Sequence, residues 1–172
     1  MVRWVRSLGG PLIAVREDFL ASWRGGEEVD SEGNEIEEEE TDYWRACEIT
    51  DQVGLIDLTG RDMLVLNSGP LRTTYVSESS LFVQQVAKPA RTDLLGAIDD
   101  ALPRVAWRDM FYWKSGGDYV LFDAAAAGDE ISESDRINFS LPPGRTLVRI
   151  ANVEPAPELD VWVNLVQLVP QG

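Results

Sequence analysis

The sequence of 172 residues contains no histidine, one cysteine and two lysines. The absence of histidine excludes Ser-His-Asp and Cys-His catalysis, histidine metal ligands and a histidine pH switch. The single cysteine, Cys47, excludes an intrachain disulfide and a zinc site built from several cysteines. Basic residues are scarce, because 15 Lys and Arg stand against 30 Asp and Glu and give a formal net charge of −15. With no basic cluster to face phosphate, we expect no nucleic-acid partner and no anionic membrane partner.

The sequence also has no long apolar run. No stretch approaches the roughly 18 residues that a transmembrane helix needs. Arg3 and Arg6 are followed by Gly9, Gly10 and Pro11, not by an apolar stretch of signal-peptide length. We therefore expect a cytoplasmic protein, and a free cysteine is ordinary in that compartment.

The bulk composition is that of a globular protein. Apolar residues make up 44% and charged residues 26% of the chain, which is enough to bury an ordinary core. The length corresponds to about one domain, and we expect a single domain over residues 1–172.

Short apolar or β-branched runs separated by turn residues predict eight to ten short strands. Residues 4–7 and 12–15 are interpreted as strands on either side of a turn at Gly9, Gly10 and Pro11. In the C-terminal third, residues 115–117 and 142–144 are predicted to be chain-reversing turns, each flanked by two strands.

Two or three helices accompany the strands. The clearest is predicted over residues 92–102, where apolar residues recur at spacings of three and four and Thr92 is placed to cap the N-terminus. Residues 17–23 are predicted to form a short helix, and residues 43–48 are compatible with a helix or a strand. The fold class is therefore α+β and mostly β, with an antiparallel sheet or sandwich-like core.

Residues 27–42, here called the acidic segment, contain ten acids and no base. Such a run repels itself and cannot be buried, so we expect an exposed loop over about residues 25–42 that turns at Gly33 and Asn34. Alternate residues Asp30, Glu32 and Asn34 resemble the start of a calcium loop. The sixth and twelfth positions are Glu35 and Thr41, however, where an EF-hand has Gly and Glu, so no metal site is predicted.

The other candidate catalytic residues are explained more simply by structural roles. A carboxylate pair could perform acid–base hydrolysis, and the candidates are Asp99, Asp100, Asp109 and Asp123, each of which is more simply a solvated or turn-capping group. Cys47 has no histidine to activate it and is expected to be a small buried side chain.

The sequence contains six tryptophans, a residue that fills cores and also anchors interfaces. We expect about four in the core and one or two partly exposed. Trp44 is the candidate for exposure because it follows the acidic segment.

Four stretches of the first half match a known pattern in order and spacing. They are Trp4 with Gly9-Gly10-Pro11-Leu12, Trp23-Arg24-Gly25, Asp42-Tyr43-Trp44-Arg45-Ala46-Cys47, and Leu64-Val65-Leu66 followed by Pro70-Leu71-Arg72-Thr73-Thr74. In these features the chain resembles the immunity protein 21 family of bacterial polymorphic toxin systems. The acidic segment falls between the second and third stretches, as an elaboration of a connecting loop.

The resemblance implies a cognate antitoxin that binds a secreted toxin domain and blocks it, without catalysis and without a cofactor. It leaves the oligomeric state open. It also implies a structural role for the motif residues, with Arg45 as a buried ion-pair partner and Cys47 in the core. The full set is Trp4, Gly9, Gly10, Pro11, Trp23, Asp42, Tyr43, Arg45, Ala46, Cys47, Thr73 and Thr74.

The charge pattern leads to a hypothesis for the toxin-facing surface. Many such toxins are nucleases, which are basic where they hold phosphate, and an acidic inhibitor can occupy that groove. The predicted toxin-binding residues are Glu37, Glu38, Glu39, Glu40, Asp42 and Trp44. In this hypothesis the negative charges attract the toxin, and the Trp44 ring prolongs the lifetime of the complex. The alternatives are an acidic housekeeping domain without a dedicated partner and a histidine-free carboxylate hydrolase.

Overall fold

The computed structural model describes residues 2–67, 69–86, 93–157 and 161–172. Within them, eight strands form one sheet in the order β2-β3-β1-β6-β7-β8-β5-β4, and every neighbouring pair is antiparallel. The strands are β1 (Leu12–Arg16), β2 (Val53–Leu58), β3 (Arg61–Leu66), β4 (Arg72–Val76), β5 (Leu81–Gln85), β6 (Arg108–Asp123), β7 (Ile137–Ala156) and β8 (Val161–Gln171). The mostly β, antiparallel fold class predicted from the sequence is confirmed.

The helices are short. In the described part of the chain the α-helices are α1 (Asp42–Cys47) and α2 (Leu94–Ala101), and 3₁₀ helices include Glu17–Ser22 and Glu38–Glu40. Helix α2 confirms the helix predicted from residue 92, but Asp93 is its N-cap and its side chain accepts from the Gly96 N–H. Thr92, the predicted cap, lies outside the described residues. None of the described helices is long and apolar enough to cross a membrane.

In the part of the chain that the structure describes, two buried clusters form the core. The larger one is centred on β1, β3 and β6, where residues 12–15, 63–66 and 119–122 are almost completely buried. The smaller one is formed where α2 packs against β7, with Leu94 and Ile98 of the helix in one cluster with residues of β5, β7 and β8. Strand β1 is buried over four consecutive residues, which indicates that the sheet is covered on both faces there.

The two turns predicted in the C-terminal third are wrong. Residues 115–117 lie inside β6 and residues 142–144 lie inside β7, and the two long strands pair with Ser115 opposite Gly144 and Gly117 opposite Leu141. The glycines and prolines therefore form a bulge and do not reverse the chain. Gly116 has a φ of +152°, and a Cβ atom there would lie 2.6 Å from the Cα of Pro143. The predicted strand at residues 4–7 is also reduced, here to a single bridge between Val5 and Thr73.

The tryptophans divide differently from the expectation of four in the core. Trp23 and Trp113 are fully buried, Trp4 and Trp107 are half-buried, and Trp44 and Trp162 are exposed. The expected exposure of Trp44 is confirmed.

Candidate functional site

The acidic segment forms a closed loop whose two ends meet. The Tyr43 N–H donates to the Gly25 carbonyl at 2.9 Å, which joins the residue after the segment to a residue just before it. Gly26 N–H donates to the Ala125 carbonyl at 3.1 Å, so the start of the loop is fixed to the chain that follows β6. Gly25 has a φ of +60°, and a Cβ atom there would lie 2.5 Å from the same carbonyl oxygen. Only glycine fits this close approach.

The far end of the acidic segment turns at the predicted position. Gly33 has a φ of +86°, and the Asp30 carboxylate accepts hydrogen bonds from the backbone N–H groups of Glu32 (2.8 Å) and Asn34 (2.9 Å). The Asn34 side chain also donates to Asp30, and these bonds lower the pKa of Asp30 below its ordinary value. Both carboxylate oxygens are therefore used in the turn. No cluster of three potential metal ligands occurs in the described residues.

The four consecutive glutamates lead directly into α1. All four side chains are exposed, and Glu38–Glu40 form a single 3₁₀ turn. Thr41, which is buried, connects this turn to the helix: its hydroxyl donates to the Glu38 carbonyl at 2.8 Å and accepts from the Trp44 N–H at 3.2 Å. The glutamates and Trp44 thus lie on consecutive turns that share one capping residue.

Trp44 is 36% exposed, whereas Asp42 is engaged inside the protein. The Asp42 side chain is only 15% exposed, accepts from the Arg24 N–H at 2.8 Å and pairs with Arg45 at 3.1 Å. The structure therefore presents the four glutamates and Trp44 on the surface, and it uses Asp42 to hold the start of α1 in place.

Two of the sequence motifs contact the same short segment after β6, and a third packs against the first of them. The Pro11 carbonyl accepts from the Ala124 N–H at 3.1 Å, and the Trp23 indole N–H donates to the Ala124 carbonyl at 3.1 Å. Gly10 packs against the ring of Tyr43, leaving no room there for a Cβ atom. Residues far apart in sequence thus meet where the acidic segment and α1 attach to the sheet.

The fourth motif contacts the first. Val5 and Thr73 exchange two backbone hydrogen bonds of 2.8 and 2.7 Å, and the Thr74 hydroxyl donates to the Arg3 carbonyl at 2.6 Å. The Arg72 guanidinium lies 5.2 Å from the centre of the Trp4 ring. These contacts hold the N-terminal segment along the outer strand β4.

Two expectations for α1 require correction. Cys47 is exposed, not in the core, because Ala46 is the buried residue of this short helix and Cys47 is rotated by about 100° from it. Hydrogen bonding to Cys47, together with burial, raises the pKa of Tyr43. Arg45 does form the expected ion pair with Asp42, but its side chain is 38% exposed and is not buried.

The carboxylates considered for hydrolysis do not converge. Asp109 and Asp123 lie near opposite ends of the same strand, β6, and do not face each other across a turn. The Asp123 carboxylate accepts from the N–H groups of Leu8 (2.9 Å) and Ala125 (3.0 Å) and holds two loops together. Asp99 and Asp100 are exposed on α2.

One exposed residue was not identified from the sequence. Leu8 is 95% exposed, although its backbone is fixed by the hydrogen bond to Asp123. Its position directly before the Gly9-Gly10-Pro11 turn, after two polar residues, is the signal that could have indicated an exposed loop tip.

Comparison with known proteins agrees with the motif resemblance. The family model described as immunity protein 21 matches residues 3–159. The match includes the acidic segment, α1 and all four motifs. No curated protein and no solved structure matches the chain.

Proposed function

The chain belongs to the immunity protein 21 family, and on that premise we propose that it binds a cognate toxin domain and neutralises it by stoichiometric protein–protein inhibition. The observation that carries the proposal is the family match over residues 3–159. The proposal places the protein in the cytoplasm, acting as one domain and without catalysis.

The charge distribution supports a basic partner, such as a nuclease toxin. The net charge of −15 attracts a basic protein over about a Debye length, which is ~8 Å at physiological salt. Glu37, Glu38, Glu39 and Glu40 are exposed side by side on the acidic segment. A nuclease carries its positive charge where it holds phosphate, so these glutamates would cover its working surface.

Trp44 supplies the apolar contact in this proposal. A partly exposed tryptophan beside a charged rim is typical of an interface anchor. The charges mainly affect the association rate, and the ring mainly affects the dissociation rate. Asp42 contributes by holding α1, because its carboxylate already binds the Arg24 N–H and Arg45.

The steering role of the glutamates is tested by replacing Glu37, Glu38, Glu39 and Glu40 with Gln. The toxin domain encoded beside the immunity gene is the binding partner in this measurement. We expect the association rate at low salt to fall about tenfold, and the difference from the wild type to shrink as salt is added. The control removes four exposed carboxylates elsewhere: Glu78→Gln with Asp99→Asn, Asp100→Asn and Asp109→Asn.

The control should slow association much less, because its charges lie outside the proposed surface. Equal association rates for both variants would remove the acidic segment from the interface while leaving inhibition itself intact. If the toxin domain neither co-purifies with the wild-type chain nor is neutralised by it in a growth assay, the proposed function is wrong.

The anchoring role of Trp44 is tested by Trp44→Ala. Loss of an anchor ring costs about 2 kcal/mol of binding free energy, so dissociation of the toxin complex should become roughly 30-fold faster. Trp162→Ala is the matched control because Trp162 is 45% exposed on β8. Similar dissociation rates for the two variants would show that Trp44 is not an anchor.

A further inference from the structure

A cavity of about 610 Å³ lies beside the β6–β7 bulge and is separate from the candidate site. Its wall includes three cationic side chains, from Arg16, Arg61 and Lys114. This concentration of positive charge is unexpected in a chain where acids outnumber bases two to one.

The two arginines are held by the same aromatic ring. The guanidinium groups of Arg16 and Arg61 lie 5.6 and 5.3 Å from the centre of the Phe19 ring. Asp18 neutralises Arg16 through hydrogen bonds of 2.6 and 2.5 Å. Among the described residues, Arg61 and Lys114 have no carboxylate within ion-pair distance. Asp62 in the wall and Asp18 beside Arg16 offset part of the charge in the cavity.

A buried hydroxyl also faces this cavity. Tyr119 is 3% exposed, and its oxygen accepts from the Gly116 N–H at 3.2 Å. The hydroxyl proton remains free to be donated. A tyrosine is protonated at neutral pH and can act as a donor, and burial raises the pKa of Tyr119 further.

The turn at the edge of the cavity is strained. Thr59 and Gly60 join β2 to β3, and both have positive φ, +54° and +81°. This backbone suits Asn-Gly or Gly-Gly, and a β-branched residue in it is an outlier. Strain of this kind is concentrated at functional sites, and Thr59 contributes to the cavity wall.

We propose that this cavity binds a small phosphorylated molecule, with its phosphate oxygens accepting from Arg61, Lys114 and Tyr119. A phosphate presents three oxygens and up to two negative charges, so it can satisfy donors that come from β3 and from both sides of the β6 bulge. A single carboxylate offers two oxygens and one charge. The cavity volume lies within the range of small-molecule sites, about 300–1,000 Å³, which leaves space beyond the phosphate.

This site is independent of toxin binding, so each proposal can fail alone. Although the whole protein is strongly negative, charges farther away than a Debye length of ~8 Å are largely screened at physiological salt. The charged groups within that distance therefore determine which ions bind there, and they include Asp18, which pairs with Arg16 and also acts on Arg61.

The test is calorimetric titration of the full chain with inorganic pyrophosphate at constant ionic strength. We expect saturable binding to the wild type, about tenfold weaker binding to Arg61→Gln and Lys114→Gln, and several-fold weaker binding to Tyr119→Phe. Arg108→Gln is the control, because Arg108 is an exposed arginine at the start of β6, and its affinity should equal that of the wild type. Circular dichroism establishes that each variant is folded.

Two further measurements make the result decisive. Citrate, a tricarboxylate of comparable charge, should bind at least tenfold more weakly than pyrophosphate. Addition of pyrophosphate should also shift the Gly116 and Gly117 amide resonances in an NMR spectrum. The proposal is overturned if pyrophosphate does not bind at millimolar concentration or if citrate binds equally well. Equal losses in Arg108→Gln and Arg61→Gln, or unmoved glycine resonances, would overturn it as well.

Discussion

Gly10 illustrates how a single residue positions the candidate site. A Cβ atom at this position would overlap the phenol ring of Tyr43, and Gly10 is not among the residues with positive φ. Glycine is therefore needed here for space and not for backbone conformation. Tyr43 in turn closes the acidic segment through its N–H bond to Gly25. The N-terminal turn thus supports the helix that presents Trp44.

Gly10→Ala should lower the free energy of unfolding by about 2 kcal/mol, because overpacking forces the Tyr43 ring to move. Urea denaturation measures this change. The same substitution in a Tyr43→Leu background should cost much less, since the overlapping ring atoms are gone. If the cost is the same in both backgrounds, the collision with Tyr43 is not its cause.

At the scale of elements, β6 and β7 dominate the sheet. They are 16 and 20 residues long and connect the β1 side of the sheet to the β8 side. Their bulge allows this long hairpin to bend without ending. The bend depends on Gly116, which lies against Pro143.

Gly116→Ala should destabilise the protein by about 3 kcal/mol, since the new Cβ atom meets the Pro143 backbone in addition to the strain of a positive φ. Gly144→Ala is the matched comparison. Gly144 has a similar φ of +142°, but nothing lies closer than 4.0 Å to its Cβ position. The Gly144→Ala substitution should therefore lower the free energy of unfolding by only about 1–2 kcal/mol. Equal urea midpoints for the two variants would contradict the proposed contact with Pro143.

At the scale of the whole molecule, the groups whose pKa is shifted are aspartates, tyrosines and arginines, which titrate at the two ends of the pH range. With no histidine present, no side chain has an ordinary pKa near 6.5. The Arg16 hydrogen bond lowers the pKa of Asp18, and hydrogen bonds from Asn34 lower that of Asp30. Burial raises the pKa of both Tyr75 and Tyr119.

These pKa shifts predict a free energy of unfolding that is nearly constant from pH 6 to 9. Above about pH 10 an unfolded tyrosine loses its proton while the buried one keeps it, so the free energy of unfolding falls as the pH rises. Asp18 and Asp30 stabilise the fold above the unfolded pKa of about 4, and this contribution is lost as the pH falls through their lowered values.

Urea denaturation at a series of pH values tests this profile. Tyr75→Phe should reduce the loss of stability at alkaline pH, since it removes one of the three phenols with a raised pKa. A marked drop in stability between pH 6 and 8 would contradict the prediction.

The sequence alone determined those features that depend on neighbouring residues. Short apolar or β-branched runs separated by turn residues identified an antiparallel, mostly β fold. Ten acids without a base identified an exposed segment, because such a run cannot be buried. The order of four motifs identified the family.

Tertiary structure decided the features that depend on residues far apart in the chain. Glycine and proline at 115–117 and 142–144 are compatible with a turn or a bulge, and only the pairing of β6 with β7 selects the bulge. The exposure of Cys47 depends on which side of α1 meets the sheet. The positively charged cavity exists because Arg16, Arg61 and Lys114 come from three different strands. Local sequence carries no information about such contacts, since they form only when the strand order brings distant residues together.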